Sequence, residues 1–138
     1  QIIVPVMKQE KYGRIINIIS TSVRTPLKNL GVSNTIRWAV ASWAKTLATE
    51  LAPFGITVNN VLPGSTATAR LDSLFATIAE KRNVSPQVVS DEWLKEIPMQ
   101  RFGDAHEIAA FAAFLASPAA SYITGTSTAV DGGKTPAM

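Results

Sequence analysis

LGVSNTIRWAVASWAKTLATELAPFGITVNNVLPG, residues Leu30–Gly64, reads as a helix, a turn, a strand and a Pro-Gly corner in quick succession. The large apolar residues Ile36, Val40, Trp43, Leu47 and Leu51 recur at helical spacing and predict a helix over residues 33–51. A second stripe, Ala41, Ala44 and Ala48, is uniformly small and lies in line with Arg37. Small residues permit close backbone approach, so both stripes are expected to be buried, one on a sheet and the other against another helix. Ser42, Lys45, Thr46 and Thr49 remain as the wet face. Pro53 and Gly55 stop the helix, and Ile56–Leu62 reads as a buried strand closed by Pro63-Gly64. Arg37 sits oddly in this scheme. In the first turn of a largely buried helix, its charge meets the positive end of the helix dipole.

The same alternation extends on both sides. Ile2, Ile3, Val6 and Met7 read as the end of a helix, and the chain begins without methionine. The sequence is therefore expected to be a fragment of a longer chain. After Gly13, the β-branched run Arg14–Ile19 suits a strand buried on both faces. Ser20–Asn29 is polar, carries Pro26 and reads as loop. From Ala67 to Ile97 the pattern is helical but looser, with Leu71, Leu74, Phe75 and Ile78 as one amphipathic stripe and a turn into a second short helix at NVSPQVVSDEW, residues 83–93. Asp104 is placed to cap a further helix, with Glu107 three residues on completing a capping box. Pro118 ends that helix, and Ser127–Val130 makes a last short strand before Asp131-Gly132-Gly133. Strand, helix, strand, helix, strand with short links predicts a parallel α/β sheet.

Composition narrows the function classes. The 138 residues are 46% hydrophobic and 17% charged, the balance of a soluble globular domain rather than a disordered tail. Net charge is +3, but the basic residues are scattered, so no basic stripe marks a nucleic-acid partner. The absence of cysteine removes disulfides, thiolate metal sites and cysteine nucleophiles, and fits a reducing, cytoplasmic setting. A single histidine, His106, excludes a His-rich metal site and reads as a surface residue. No apolar run reaches the roughly 18 residues of a membrane span, and no charged leader with a cleavage site is visible.

In parallel α/β sheets ligands bind beyond the carboxyl ends of the strands. Two hydroxyl-rich loops occupy such places, Ser20-Thr21-Ser22 and Pro63–Thr68. Each suits a polar ligand, and each is also a composition that simply makes a good loop.

Four segments in order, GRIINIIS, AKTLATELAPFGITVNNVLPG, RFGDAHEIAAFAAFLAS and SYITGTSTAVDGG, resemble the C-terminal half of a short-chain dehydrogenase/reductase. Within that family the chain looks most similar to the 3-oxoacyl-acyl-carrier-protein reductases. The likeness covers nearly the whole chain. It implies an α/β fold, the C-terminal half of a Rossmann-type doubly wound parallel sheet. It also implies an NAD- or NADP-dependent oxidoreductase acting on a small carbonyl or alcohol substrate, and a homo-oligomer, dimer or tetramer, with family tetramer contacts near the Val130–Gly133 turn. Residues 1–138 would be the C-terminal part of one domain, with residues 71–99 as the substrate lid. The Gly-rich phosphate loop and the residue that selects NAD or NADP would lie upstream of Gln1. So would the Asn-Asn-Ala-Gly motif and the catalytic asparagine, and the fragment alone would bind dinucleotide poorly. In the lid, Leu71, Leu74, Phe75, Ile78, Val88, Val89 and Trp93 would either line an apolar pocket or pack the lid onto the domain.

The resemblance carries site residues over one at a time. Ser20 matches the serine that polarises the substrate oxygen. Thirteen residues on, where the family keeps a tyrosine acid/base, stands Ser33; four further, in place of the lysine, stands Arg37. Pro63 and Gly64 would lie beside the nicotinamide, the backbone of Thr66 would meet its carboxamide, and Thr68 would reach the carboxamide or pyrophosphate. The Ser33 hydroxyl does not titrate near neutrality, so it does not replace a phenol as general acid. Arg37 keeps a cation and several donors for a ribose or carboxylate, without acting as a proton shuttle. Tyr12 precedes the first strand at its wrong end, and Tyr122 lies in a segment that looks structural.

Three readings of the Ser33/Arg37 pair stand side by side. Ser33 is merely a helix N-cap while Arg37 snorkels or pairs with an acid. Alternatively, Arg37 retains cofactor or substrate binding while another residue, or water held by Ser20 and Ser33, relays protons. In the third, the protein is a degenerate family member that binds or scaffolds without turnover.

Overall fold

The computed structural model describes residues 2–136. Helix α1 (Ile3–Glu10) leads into strand β1 (Gly13–Ile18), and helix α2 (Gly31–Leu51) into strand β2 (Ile56–Pro63). Helices α3 (Ala69–Arg82), α4 (Pro86–Lys95) and α5 (Ala105–Ala116) follow, and strand β3 (Ser127–Val130) closes the chain. The strands form one parallel sheet in the order β1-β2-β3, with Ile18 opposite Val61 and Pro63 opposite Val130. The alternation of strand and helix thus builds the expected parallel α/β layers.

Period-two alternation along β2 divides the core. On one face Ile56 and Val58 pack under Ala44, Ala48 and Leu51 of α2, with Val4 and Met7 of α1 alongside. On the other face Val61 packs with Leu115, Ile108 and Phe111 of α5. The two central asparagines of β2 are buried because each is matched. Asn60 accepts from Asn17 Nδ2 and donates to Ser127 Oγ, both at 2.9 Å, a polar rung across all three strands. Asn59 donates to the Ile123 carbonyl at 2.8 Å and accepts from Thr126, pinning the loop before β3.

Three expectations change. The small stripe of α2 takes the sheet, where its short side chains let the helix approach, while Ile36 and Trp43 of the large stripe face outward at 59% and 53% exposure. No helix among the described residues covers that side. β1 is only half-buried, and its terminal Ile18 is 55% exposed, because among the described residues β1 has a strand neighbour on one side only. Finally, α2 begins at Gly31, so Ser33 is its third residue and not its N-cap. The start is held instead by Asn34, whose side chain donates to the Leu27 carbonyl at 2.9 Å and accepts from the Leu27 N–H at 3.4 Å. Arg37 accordingly stands in the second turn, where the dipole penalty has largely decayed.

Downstream, α3 and α4 form a hairpin with its own small core of Leu71, Phe75, Ala79 and Val89, in which the Trp93 ring meets Phe75 edge-on at 5.2 Å. Thr68 and Ser85 cap the two helices. The capping box on α5 forms as expected from Asp104 and Glu107. The Arg101 guanidinium and the Asp104 backbone N–H both donate to the Glu107 carboxylate and pull its pKa down to about 2.

Candidate functional site

Because β1 and β2 run parallel, their carboxyl ends open on the same side. The register that sets Ile18 against Val61 continues one step, as the Ile19 N–H donates to the Val61 carbonyl at 2.9 Å. Ser20 and the Pro63-Gly64 corner therefore leave the sheet side by side. Gly64 in turn donates to the Val130 carbonyl at 3.0 Å, so the corner is anchored to β3 as well. A side chain here would not fit: a Cβ on Gly64 would lie 2.6 Å from Asp131 Cβ.

Ser20, Ser33, Arg37, Pro63, Gly64, Thr66 and Thr68 all line one cleft of about 400 Å3. The family resemblance named these residues individually; the fold brings them together. Ser20 Oγ accepts the Ser22 N–H at 3.1 Å, which leaves its own hydrogen available to a ligand oxygen. Arg37 donates through Nη1 to the Ile19 carbonyl, the residue before Ser20, and through Nε to Ser33 Oγ at 3.2 Å. The arginine thus ties α2 to the end of β1. Among the described residues it pairs with no carboxylate, and it presents Ser33 as a hydroxyl whose lone pair is taken by a cation.

The second loop is also tightly built. Gly103 donates to the Ser65 carbonyl at 3.0 Å and accepts from the Ala67 N–H at 2.9 Å, bracketing Thr66 in a single parallel bridge. Thr66 Oγ1 donates to the Gly64 carbonyl and Thr68 Oγ1 to the Thr66 carbonyl. The Ser20 and Ser33 hydroxyls, a guanidinium and a rigid backbone corner at the strand ends are polar groups that fit the amide and ribose oxygens of a nicotinamide nucleotide.

Of the seven apolar residues singled out in 71–99, Leu71, Leu74 and Trp93 line the cleft, while Phe75 and Val89 pack the hairpin on itself. Tyr12 lies at the far end of β1, its hydroxyl donating to the Ala116 carbonyl at 3.0 Å, and Tyr122 is fully exposed. Neither lines the cleft. Sequence reasoning missed Asn34, Arg70 and Lys134, which also line it. Asn34 had a signal in its place beside Ser33; Lys134 had none, because it arrives from the last residues of the chain. No helix among the described residues is long and apolar enough to cross a membrane.

Comparison with known proteins agrees with this geometry. The family model described as enoyl-(acyl carrier protein) reductase matches residues 1–135. The NADPH-dependent reductase BacG of Bacillus subtilis is 41% identical over 127 residues, covering 92% of this chain and 49% of BacG. The 3-oxoacyl-[acyl-carrier-protein] reductase FabG of Staphylococcus epidermidis is 37% identical over 135 residues, 96% of this chain and 50% of FabG. Among solved structures, YwfH, an NADPH-dependent reductase involved in bacilysin biosynthesis, superposes with a TM-score of 0.90 at 38% identity, covering 97% of this chain and 51% of its own. An actinorhodin polyketide ketoreductase with NADPH gives 0.89 at 30% identity, over 95% and 50%. The chain spans about half the length of the curated relatives it matches. With a Rossmann-type parallel sheet, a serine-lined cleft at its strand ends and these relatives, the chain belongs to the short-chain dehydrogenase/reductase family.

Proposed function

We propose that the full-length protein is an NAD(P)-dependent oxidoreductase that interconverts a carbonyl and an alcohol, with this chain as the C-terminal part of its single domain. The observation that carries this reading is the convergence of Ser20, Ser33 and Arg37 with the Pro63–Thr68 loop in one cleft. When bound, the nicotinamide would supply or accept the hydride at the substrate carbon. Pro63, Gly64, Thr66 and Thr68 would hold its carboxamide side, and residues 71–99 would cover the substrate.

The proton side of the reaction falls to this chain. The Ser20 hydroxyl donates to the substrate oxygen as negative charge grows there. Ser33 donates a second hydrogen bond to that oxygen, and a water held by Ser20 and Ser33 delivers the proton that completes the alcohol. The Arg37 Nε–H donated to Ser33 Oγ polarises that hydroxyl toward the growing charge. The pair polarises a hydroxyl without an ionisable phenol. A second reading, a binding or scaffolding family member without turnover, draws on one observation: among the described residues no tyrosine lines the cleft.

A homo-oligomer, dimer or tetramer, belongs to the same proposal. Ile36, Trp38 and Trp43 stand exposed on the outer side of α2, where a second copy would cover them. A cytoplasmic location completes it.

Nucleotide binding and ketone reduction by the full-length protein test the reading. Micromolar affinity for NADH or NADPH with turnover of a ketone panel is expected. No affinity for either nucleotide at millimolar concentration overturns it. If nucleotide binds but only a Ser33→Tyr, Arg37→Lys double variant turns over, the scaffolding reading replaces the catalytic one.

A further inference from the structure

On the oxidoreductase reading above, we infer that the substrate carries an anionic group, a carboxylate or phosphate, held by Arg70 and Lys134 at the cleft. The charged side chains lining this cleft are Arg37, Arg70 and Lys134, with no carboxylate among them. The bias is local. The adjoining cavity of about 310 Å3 mixes Arg101 with Glu107 and Asp131.

The three cations are not equivalent. Arg37 is committed to the Ile19 carbonyl and Ser33. Arg70 makes no hydrogen bond, ion pair or ring contact among the described residues. It stands in the first turn of α3, where a cation opposes the helix dipole and an anion is favoured. Lys134 is half-buried, its ammonium 5.0 Å over the Trp93 ring and 2.8 Å from Glu96. Glu96 does not line the cleft, so the ion pair braces the lysine at a wall whose lining includes Lys134 but not its carboxylate partner. Leu71, Leu74 and Trp93 complete the same wall with apolar surface. A small ketone with an apolar body and one anionic end matches that pattern, and a guanidinium fork binds carboxylate or phosphate in two parallel hydrogen bonds.

A nucleotide pyrophosphate presents the same chemistry, so the experiment separates the two sources. The full-length protein is assayed with 2-oxo-4-phenylbutanoate and levulinate, each beside its ethyl ester, while the KM for nucleotide is followed. The acids are expected to exceed their esters by about tenfold in kcat/KM, because a site with an unpartnered guanidinium discriminates against the neutral analogue. Arg70→Gln and Lys134→Gln should each reduce that acid-to-ester ratio by about fivefold through KM, since each removes a charge-assisted contact. Esters reduced as well as acids would overturn the inference and leave the oxidoreductase reading intact. A raised nucleotide KM with an unchanged ratio would assign the cations to pyrophosphate and overturn it equally. Should no ketone turn over, calorimetry with the same acids and esters makes the comparison. Acid binding weakened in both variants upholds the inference, and acid binding no tighter than ester binding overturns it.

Discussion

Replacing Ser33 by alanine removes one hydroxyl from the cleft and leaves Arg37 Nε without its acceptor. The lost contact is a charge-assisted hydrogen bond of 3.2 Å between two half-buried side chains. Such bonds contribute about 1.5–3 kcal/mol net when buried. Water reaches a half-exposed pair, so about 1 kcal/mol of stability is the expected loss. The kinetic loss should be larger. A donor aimed at a developing oxyanion is worth about 10²–10³ in kcat, or about 3–4 kcal/mol. Urea denaturation of the full-length protein measures the first quantity, and steady-state ketone reduction measures the second. Ser33→Thr keeps a hydroxyl at the position and should recover most of the rate. If Ser33→Ala retains kcat/KM within about threefold of native, a loss far below that of an oxyanion donor, the polarised-hydroxyl mechanism is wrong and Ser33 is only a brace for Arg37.

Three further outcomes are expected. Gly64→Ala places a Cβ 2.6 Å from Asp131 Cβ and 2.8 Å from its Cα; the strand ends must part, costing about 1–3 kcal/mol, and an unchanged urea midpoint would show that the corner yields freely. Ser22 Oγ is buried with no hydrogen-bond partner among the described residues, so Ser22→Ala should leave stability unchanged or raise it by about 1 kcal/mol, whereas a clear loss would reveal a bound water or hidden partner. Glu107, with its pKa lowered from 4.5 to about 2 by Arg101 and the Asp104 N–H, contributes stability that is fully present above about pH 4.5 and lost as pH falls toward 2. Glu107→Gln should therefore flatten the acid side of a circular-dichroism titration in that window, and a profile identical to native would remove the capping box from the acid response.

How far residue order alone carries is clearest at three places. The capping box on α5 is local: Asp104 and Glu107 sit within one turn, so spacing alone identifies it, and the structure places both bonds as expected. The strands β1 and β2 are similarly legible, since β-branched runs bounded by Gly and Pro have few other uses. By contrast, Ser33 looked like an N-cap because serine is good at that task. The helix instead begins at Gly31 with no side-chain cap, and its first turn is tied by Asn34, which reaches seven residues back to Leu27, a loop contact that no helical period encodes.

Residue order therefore determined the elements and their sequence, the parallel α/β class, and the identities of Ser20, Ser33, Arg37 and the Pro63–Thr68 loop as a candidate set. The elements and their class follow from short-range sterics and burial periodicity, which act along the chain, and the candidate set follows from the family resemblance. Folding decided the rest. It chose the alanine stripe of α2 for the sheet and left Ile36 and Trp43 outside, because sheet approach depends on side-chain length at a contact made across the core. Folding also gave Arg37 its partners, a carbonyl eighteen residues away and the serine one turn before it. And it carried Lys134, from the end of the chain, to the cleft wall that Trp93 also lines. Charge in a cleft is a sum over residues that share space rather than sequence, and only the packed chain performs that sum.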